Sequence, residues 1–206
     1  MAAGQEKEMN KRIYIDTETT GLDSKKNEIT QLAYIIEING KVELERDIKL
    51  RPKRPELASP KALAVQKKTL ADLAAYPARE EGFKTFMGDL TKYVDRFSKY
   101  DKFTWVGQNA PFDYGFVKEF MLAMGEQYHY AFFDYHLVDT LAIAAAFRMA
   151  GILQVPNLKL ESLCGAYNVK LGSDAHDALY DTRATREVLL RMVKTLEPLK
   201  QVAASK

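Results

Sequence analysis

The sequence predicts an α/β protein, one domain built on a mixed sheet with helices flanking it. Three observations carry this prediction. Strand-like runs come first in the chain, a further one lies among several helical stretches, and the apolar spacing changes from a period of about two to one of about 3.6 between them. At 206 residues and 47% hydrophobic content, the chain has the size of a single domain and enough apolar material for a core.

The first strand begins after Arg12, where Ile13, Tyr14 and Ile15 are the β-branched and aromatic residues that suit a pleated surface. Ile29 to Ile38 and Val42 to Leu50 form two more, joined at Asn39-Gly40, a pair that favours a tight hairpin. Ser59-Pro60 supplies a cap and first turn for a short helix through Val65. A long helix is expected over Arg79 to Tyr100, with Phe83, Phe86, Leu90, Tyr93, Val94 and Phe97 on one face. Phe103 to Val106 reads as a strand. Helices follow at Pro111 to Met124, Thr140 to Met149, Leu158 to Tyr167 and Ala178 to Leu196, the last ending near Pro198. The domain therefore spans 11–198, with 1–10 and 199–206 as tails.

Charge excludes little: 30 Lys plus Arg stand against 28 Asp plus Glu, a net of +2, so no overwhelming basic field advertises nucleic acid. Cysteine excludes more. The single Cys164 closes no intramolecular disulfide and offers no thiol cluster for zinc. Glu6, Lys7, Glu8, Lys11 and Arg12 stand where a signal peptide needs an apolar stretch, and no run approaches the ~18 apolar residues of a membrane span. A cytoplasmic protein without membrane contact is expected.

The informative residues are carboxylates in apolar company. Asp16 and Glu18 are two apart at the end of the first strand, so both project from one face. Solvated acids at an exposed strand end would look the same. Asp113 begins the stripe Asp113, Phe116, Val117, Phe120 and Met124, and an acid answering a helix dipole is one reading of it. Asp181 shares a face with Ala184, Thr185, Val188 and Met192, on the apolar side of its helix. An acid turned toward a core needs compensation, because burying an unpaired charge costs several kcal/mol. Two carboxylates ~4 Å apart repel by ~4 kcal/mol at an effective dielectric of about 20, so four converging acids call for divalent cations. Oxygen ligands suit Mg²⁺ or Mn²⁺ rather than zinc.

His176 lies five residues before Asp181, which a continuous helix would turn away from the carboxylate, so it is placed on the preceding Gly172-Ser173-Asp174 loop. A loop imidazole with an ordinary pKa near ~6.5 can take a proton from water at neutral pH, although most loop histidines are only surface. His129 and His136 have no acid comparably placed and are read as structural.

Asp16-Thr17-Glu18-Thr19-Thr20-Gly21-Leu22, Val106-Gly107-Gln108-Asn109-Ala110-Pro111-Phe112-Asp113 and His176-Asp177-Ala178-Leu179-Tyr180-Asp181 resemble, in order, the three motifs of the DEDDh exonucleases. This DnaQ-like family includes the proofreading epsilon subunit of bacterial replicative DNA polymerase, ribonuclease T and oligoribonuclease. Ser59 to Thr69 resembles the segment these proteins carry between the first two motifs, and Asp139-Thr140-Leu141 resembles their helix-opening Asp-Thr-Leu. Histidine in the His-x-Ala-x-x-Asp frame places the chain nearer the histidine branch than the tyrosine branch.

The resemblance implies a ribonuclease H-like fold and 3′–5′ removal of nucleotides as nucleoside 5′-monophosphates, with DNA the favoured substrate and RNA the other. It implies that Asp16, Glu18, Asp113 and Asp181 hold two Mg²⁺ or Mn²⁺ ions and that His176 is the general base. It also implies that Thr17, Thr20, Gly21, Leu22, Asn109 and Phe112 meet the terminal nucleotide, Leu22 as a wedge and Phe112 as an aromatic face. Core packing is the other reading of Phe112. Gln108 stands where many relatives carry histidine, and Asp139 reads as a helix cap. The expected partner is a single-stranded or frayed 3′ end, and the resemblance is compatible with a DNA polymerase partner and with a homodimer. Lys49, Arg51, Lys53 and Arg54, with Lys67 and Lys68, form basic runs that are ordinarily a solvated surface and otherwise phosphate contacts. The competing readings are a catalytically silent nucleic-acid-binding or polymerase-associated module and an endonuclease on the same fold.

Overall fold

The computed structural model describes residues 10–170 and 177–197. Five strands form one sheet: β1 (Lys11–Thr19), β2 (Ile29–Ile38), β3 (Lys41–Lys49), β4 (Thr104–Gly107) and β5 (Val138–Asp139), in the order β3-β2-β1-β4-β5. β1 and β3 pair antiparallel with β2, whereas β4 runs parallel to both β1 and β5. The mixed α/β sheet expected from the sequence is therefore present. At the β2–β3 turn, Asn39 and Gly40 take φ of 53° and 84°. Two successive positive φ values give the primed turn that matches strand twist, and Asn and Gly tolerate them.

Helices cover both faces: α1 (Pro60–Gln66), α2 (Leu70–Ala74), α3 (Arg79–Tyr93), α4 (Ala110–Ala123), α5 (Thr140–Met149), α6 (Leu160–Ala166) and α7 (Ala178–Thr195). Alternation along β1 sorts the layers. Ile13 and Ile15 pack with Phe86 and Leu90 of α3 and with Phe116 and Phe120 of α4. Tyr14 faces the other way, with Val106 and Leu189 of α7. Behind α7, a second apolar cluster joins Ala144, Phe147, Leu163, Val188 and Met192 across α5, α6 and α7. Glu37 on β2, only 1% exposed, pins α7 to the sheet through Arg186 (Nε to Oε2, 2.8 Å) and also accepts from Arg12.

Differences from the sequence reading have local causes. The helix expected to reach Tyr100 stops at Tyr93: Val94 is extended (φ −126°, ψ 125°) and a turn follows, Ser98 N–H donating to Asp95 (2.9 Å). The Lys11 ammonium takes the Tyr93 carbonyl and Asp101, closing the helix end, so Phe97 stands 91% exposed rather than on an apolar face. Asn157 accepts from Lys159 N–H and the Ser162 hydroxyl, and α6 begins two residues later than Leu158. The two-residue β5 is too short to leave a periodic signal. α2 is announced only by its capping box, Thr69 and Asp72. Among the described residues no helix is long and apolar enough to cross a membrane.

Candidate active site

The site forms at the C-terminal end of β1. Asp16 and Glu18 are half-buried and share the face of β1 that looks toward α7. Immediately after Glu18 the register with β2 slips: Glu18 pairs Gln31 but Thr19 pairs Ile29. The extra residue is Thr30 on β2, so it is β2 that bends there, and the Thr30 hydroxyl donates to the Glu18 carbonyl (3.1 Å). Thr17, between the two acids, points to the opposite face. Its N–H (2.9 Å) and its hydroxyl (2.7 Å) both donate to Asp113 Oδ1. One carboxylate of α4 is thereby fastened to the strand that carries the other two.

The β4–α4 turn delivers Asp113. A Cβ on Gly107 would stand 3.1 Å from the Ala110 Cα, so a side chain there would force strand and helix apart. Asn109 is left-handed (φ 62°), and its N–H donates to Asp139 Oδ1 (2.8 Å). The same oxygen accepts from Leu141 N–H (2.9 Å), so Asp139 caps α5 and braces the turn. Gln108 is engaged at both ends: its amide donates to the Leu158 carbonyl (2.8 Å) and its oxygen accepts from the Thr140 hydroxyl.

On the third side, Asp177 caps α7, Oδ1 accepting from Leu179 N–H (3.1 Å) and Tyr180 N–H (3.3 Å). Its Oδ2 accepts from the Gln31 amide (3.0 Å) and from Lys49 Nζ (3.5 Å). Asp181 follows in the first turn, half-buried, on a helix packed against β1 and β2. The sequence reading missed Gln31, Lys49 and Asp177 as a clamp; an Asp directly before a helix was the available signal.

The acids act electrostatically as one unit. Burial, then Asp113, Asp181, Glu18 and Asp177, raise the Asp16 carboxyl well above its ordinary range. Burial, then Asp181, Asp113 and Asp177, raise Glu18 to about 8, with Lys49 opposing. Burial raises Asp113 to about 7 despite the hydrogen bonds from Thr17. Asp177 behaves otherwise: burial pushes it up, but Gln31 and Lys49 hold it below the usual value. The four mutually repelling carboxylates offer oxygen donors only, a chemistry that fits a hard divalent cation. Among the described residues, no three His, Cys, Asp or Glu side chains are already gathered as a metal cage.

His176 belongs to 171–176, outside the described residues. The residues expected around a terminal nucleotide are distributed unevenly. Thr17 is committed to Asp113. Thr20 is buried, its N–H donating to the Glu28 carbonyl (2.8 Å), its carbonyl accepting from Ser59 (2.7 Å) and its hydroxyl accepting from Glu28 N–H (2.9 Å). Gly21 lies so close to the Asn27 amide that a Cβ would collide with it. Leu22 projects, 85% exposed. Phe112 is half-buried against Phe116, ring centroids 4.9 Å apart. Of the other histidines, His129 is half-buried beside Tyr114, whereas His136 is exposed and hydrogen-bonded to Asp134.

A central strand ending in two acids, with one further acid in the first turn of each of two flanking helices, stands on a mixed sheet of the ribonuclease H-like fold. A model of the RNase T exonuclease family matches residues 13–189, and the chain belongs to that family of DnaQ-like exonucleases. Among curated relatives, a DNA polymerase III subunit epsilon-like protein of Rhodobacter capsulatus is 30% identical over 190 residues, 90% of this chain. This chain spans only about a quarter (24%) of that relative's length. E. coli exonuclease I in complex with a dT13 oligonucleotide shares the fold at a TM-score of 0.72 and 20% identity, over 94% of this chain and 43% of the other. A zinc-bound E. coli exonuclease I–ssDNA complex superposes with a TM-score of 0.68 at 20% identity, over 92% and 41% of the two chains.

Proposed function

We propose that this domain is a divalent-metal-dependent 3′–5′ exonuclease that releases nucleoside 5′-monophosphates, with DNA as its preferred substrate. The observation that carries the reading is the pair of hydrogen bonds from Thr17 to Asp113, which binds the α4 carboxylate to the strand bearing Asp16 and Glu18. Asp16, Glu18, Asp113 and Asp181 are the residues that would hold two Mg²⁺ or Mn²⁺ ions. Ions bound there would supply Lewis-acid polarisation of the scissile phosphate and charge compensation for the four acids.

The chain's own groups do the rest. His176 takes the proton from the water that attacks the terminal phosphodiester, a role for which an imidazole titrating near neutrality is suited. The bond that breaks joins phosphorus to the 3′ oxygen of the penultimate nucleotide, so the phosphate leaves with the terminal nucleoside. Leu22, exposed four residues after Glu18, would wedge against the last base, and Asn109 and Phe112 at the start of α4 would line the same pocket. Family membership and a neighbour crystallised with dT13 support a single-stranded 3′ end as substrate. An epsilon-like relative supports a polymerase partner on the same footing. The test is digestion, with Mg²⁺, of labelled oligonucleotides blocked at the 3′ or the 5′ end. Degradation confined to free 3′ ends is expected; internal cuts in both would make it an endonuclease, and no product would make it a binding module.

A further inference from the structure

Among the described residues, a cavity lined by five cationic side chains lies beside the carboxylate site rather than in it. This cavity, of about 290 Å³, opens between the Ser24–Glu28 turn, the Arg51–Arg54 segment and the flank of α4. Lys25, Arg51, Lys53, Arg54 and Arg79 line it, against two acids, Glu28 and Glu119. Glu28 is already compensated: its carboxylate pairs with the Arg79 guanidinium and accepts from Arg54 N–H (2.7 Å). Among the described residues, the side chains of Lys25, Lys53 and Arg54 enter no ion pair. Arg51 is held in place by the Tyr76 carbonyl (Nε to O, 2.9 Å), and the Arg79 guanidinium lies 5.3 Å from the Phe120 ring centre. Two of the five cations are thus pre-positioned and three project freely. Arg79 balances Glu28, whereas among the described residues Lys25, Lys53 and Arg54 have no protein anion to balance and are available to an external one.

Its position gives it a substrate. Ile29 in its wall is the partner of Thr19, the residue after Glu18. Phe116 in its wall is three residues beyond Asp113 and Ala123 ten, placing the cavity about 5–15 Å along α4 from that carboxylate at 1.5 Å per residue. The Ser24 side chain in its wall approaches α4 at Gly115, two residues beyond Asp113, 3.7 Å from where a Cβ there would sit.

We propose that this cavity binds phosphate groups of the substrate strand on the internal side of its 3′ end, with Lys53 and Arg54 as the principal contacts. The proposal rests on the nuclease reading for its substrate but not for its physics. A strand held there presents its 3′ end to an otherwise anionic site that would repel it. The ligand chemistry is a phosphate ester, which a strand or a free monophosphate can both supply.

The test is fluorescence anisotropy of a 5′-labelled dT12 with the full chain in EDTA, where no cleavage intervenes. The comparison is wild type, Lys53→Glu/Arg54→Glu, and Lys92→Glu/Lys194→Glu, which makes the same change in net charge away from the cavity. All four side chains are exposed, and unchanged thermal midpoints would confirm folding. The expected result is at least tenfold weaker binding for the first double variant, less than threefold for the second, and a slope of log K against log salt reduced by about 1.4, for two phosphates at ~0.7 each. Equal losses in the two double variants, or none, would overturn the proposal. Calorimetric titration with thymidine 5′-monophosphate separates the sources: loss of its binding in Lys53→Glu/Arg54→Glu with dT12 binding intact would assign the cavity to free monophosphate and overturn the strand assignment. Strand binding that depends on Lys53 and Arg54 in a wild-type chain that cleaves nothing would overturn the nuclease reading alone.

Discussion

Asp113 is the residue on which the site turns, because it comes from the layer opposite α7 and is drawn to β1 by one threonine. Removing the Thr17 hydroxyl in Thr17→Val leaves the backbone N–H bond and takes away the 2.7 Å bond. Partners that orient ligands typically cost 10–100-fold in affinity or activity when lost, and that loss is expected in Mn²⁺ affinity by calorimetry. An unchanged affinity would make the bond merely structural. Asp16→Ala and Asp181→Ala are expected to abolish oligonucleotide hydrolysis with the circular dichroism spectrum retained. His176→Ala should lower the rate by about 10²–10⁴ with metal binding intact, the range for a missing general base. A fall of less than threefold would remove His176 from that role.

These acids were legible because carboxylates on apolar stripes contradict the pattern around them. Gln31, Lys49 and Asp177 were not: each is unremarkable in its own segment, and only folding brings β2, β3 and α7 together. Thr17 was legible as part of a motif but not in its task. Strand alternation turns its side chain away from the face of Asp16 and Glu18, and what it meets there depends on a helix almost a hundred residues later in the chain (separation 96).

At the scale of elements, α7 is positioned by a buried charge. Glu37→Ala leaves Arg12 and Arg186 without their shared carboxylate, and breaking a buried pair in this way costs about 3–5 kcal/mol, readable in urea unfolding. A loss below ~1 kcal/mol would place the docking of α7 in its apolar face alone. Helix cores were legible in the sequence, since period and caps agree, and α5 runs from Thr140 to Met149 as its pattern predicts. Ends set by tertiary contacts were not. Nothing local announces that Lys11 will cap α3, and the spacing alone therefore puts Phe97 on the apolar face of that helix. With Phe97 exposed, Phe97→Ser is expected to change stability by no more than ~0.5 kcal/mol.

Across the whole molecule, one end of the sheet gathers negative charge and the flank beside it gathers positive charge, within a net of only +2. Composition conceals that division because it sums over the surface. The acids have a consequence for stability. Asp113 and Glu18 hold protons more tightly in the folded chain, at about 7 and about 8, than their ordinary values of 3.8 and 4.5. A raised carboxyl favours the folded state fully below its unfolded value, and the contribution is lost as pH rises through the folded value. In EDTA the thermal midpoint is therefore expected to fall between pH ~4.5 and ~8, and Mn²⁺ should raise it more at pH 8.5 than at pH 5. A midpoint flat over that range would mean the four acids do not strain the fold.

The most direct measurement is a calorimetric titration of Mn²⁺ into the wild-type chain and into Asp16→Asn and Asp181→Asn. If strand and helices join their carboxylates in one cation site, the wild type binds saturably with about two ions and each variant loses most of that binding while remaining folded. Wild type and variants that take up Mn²⁺ alike would contradict the account.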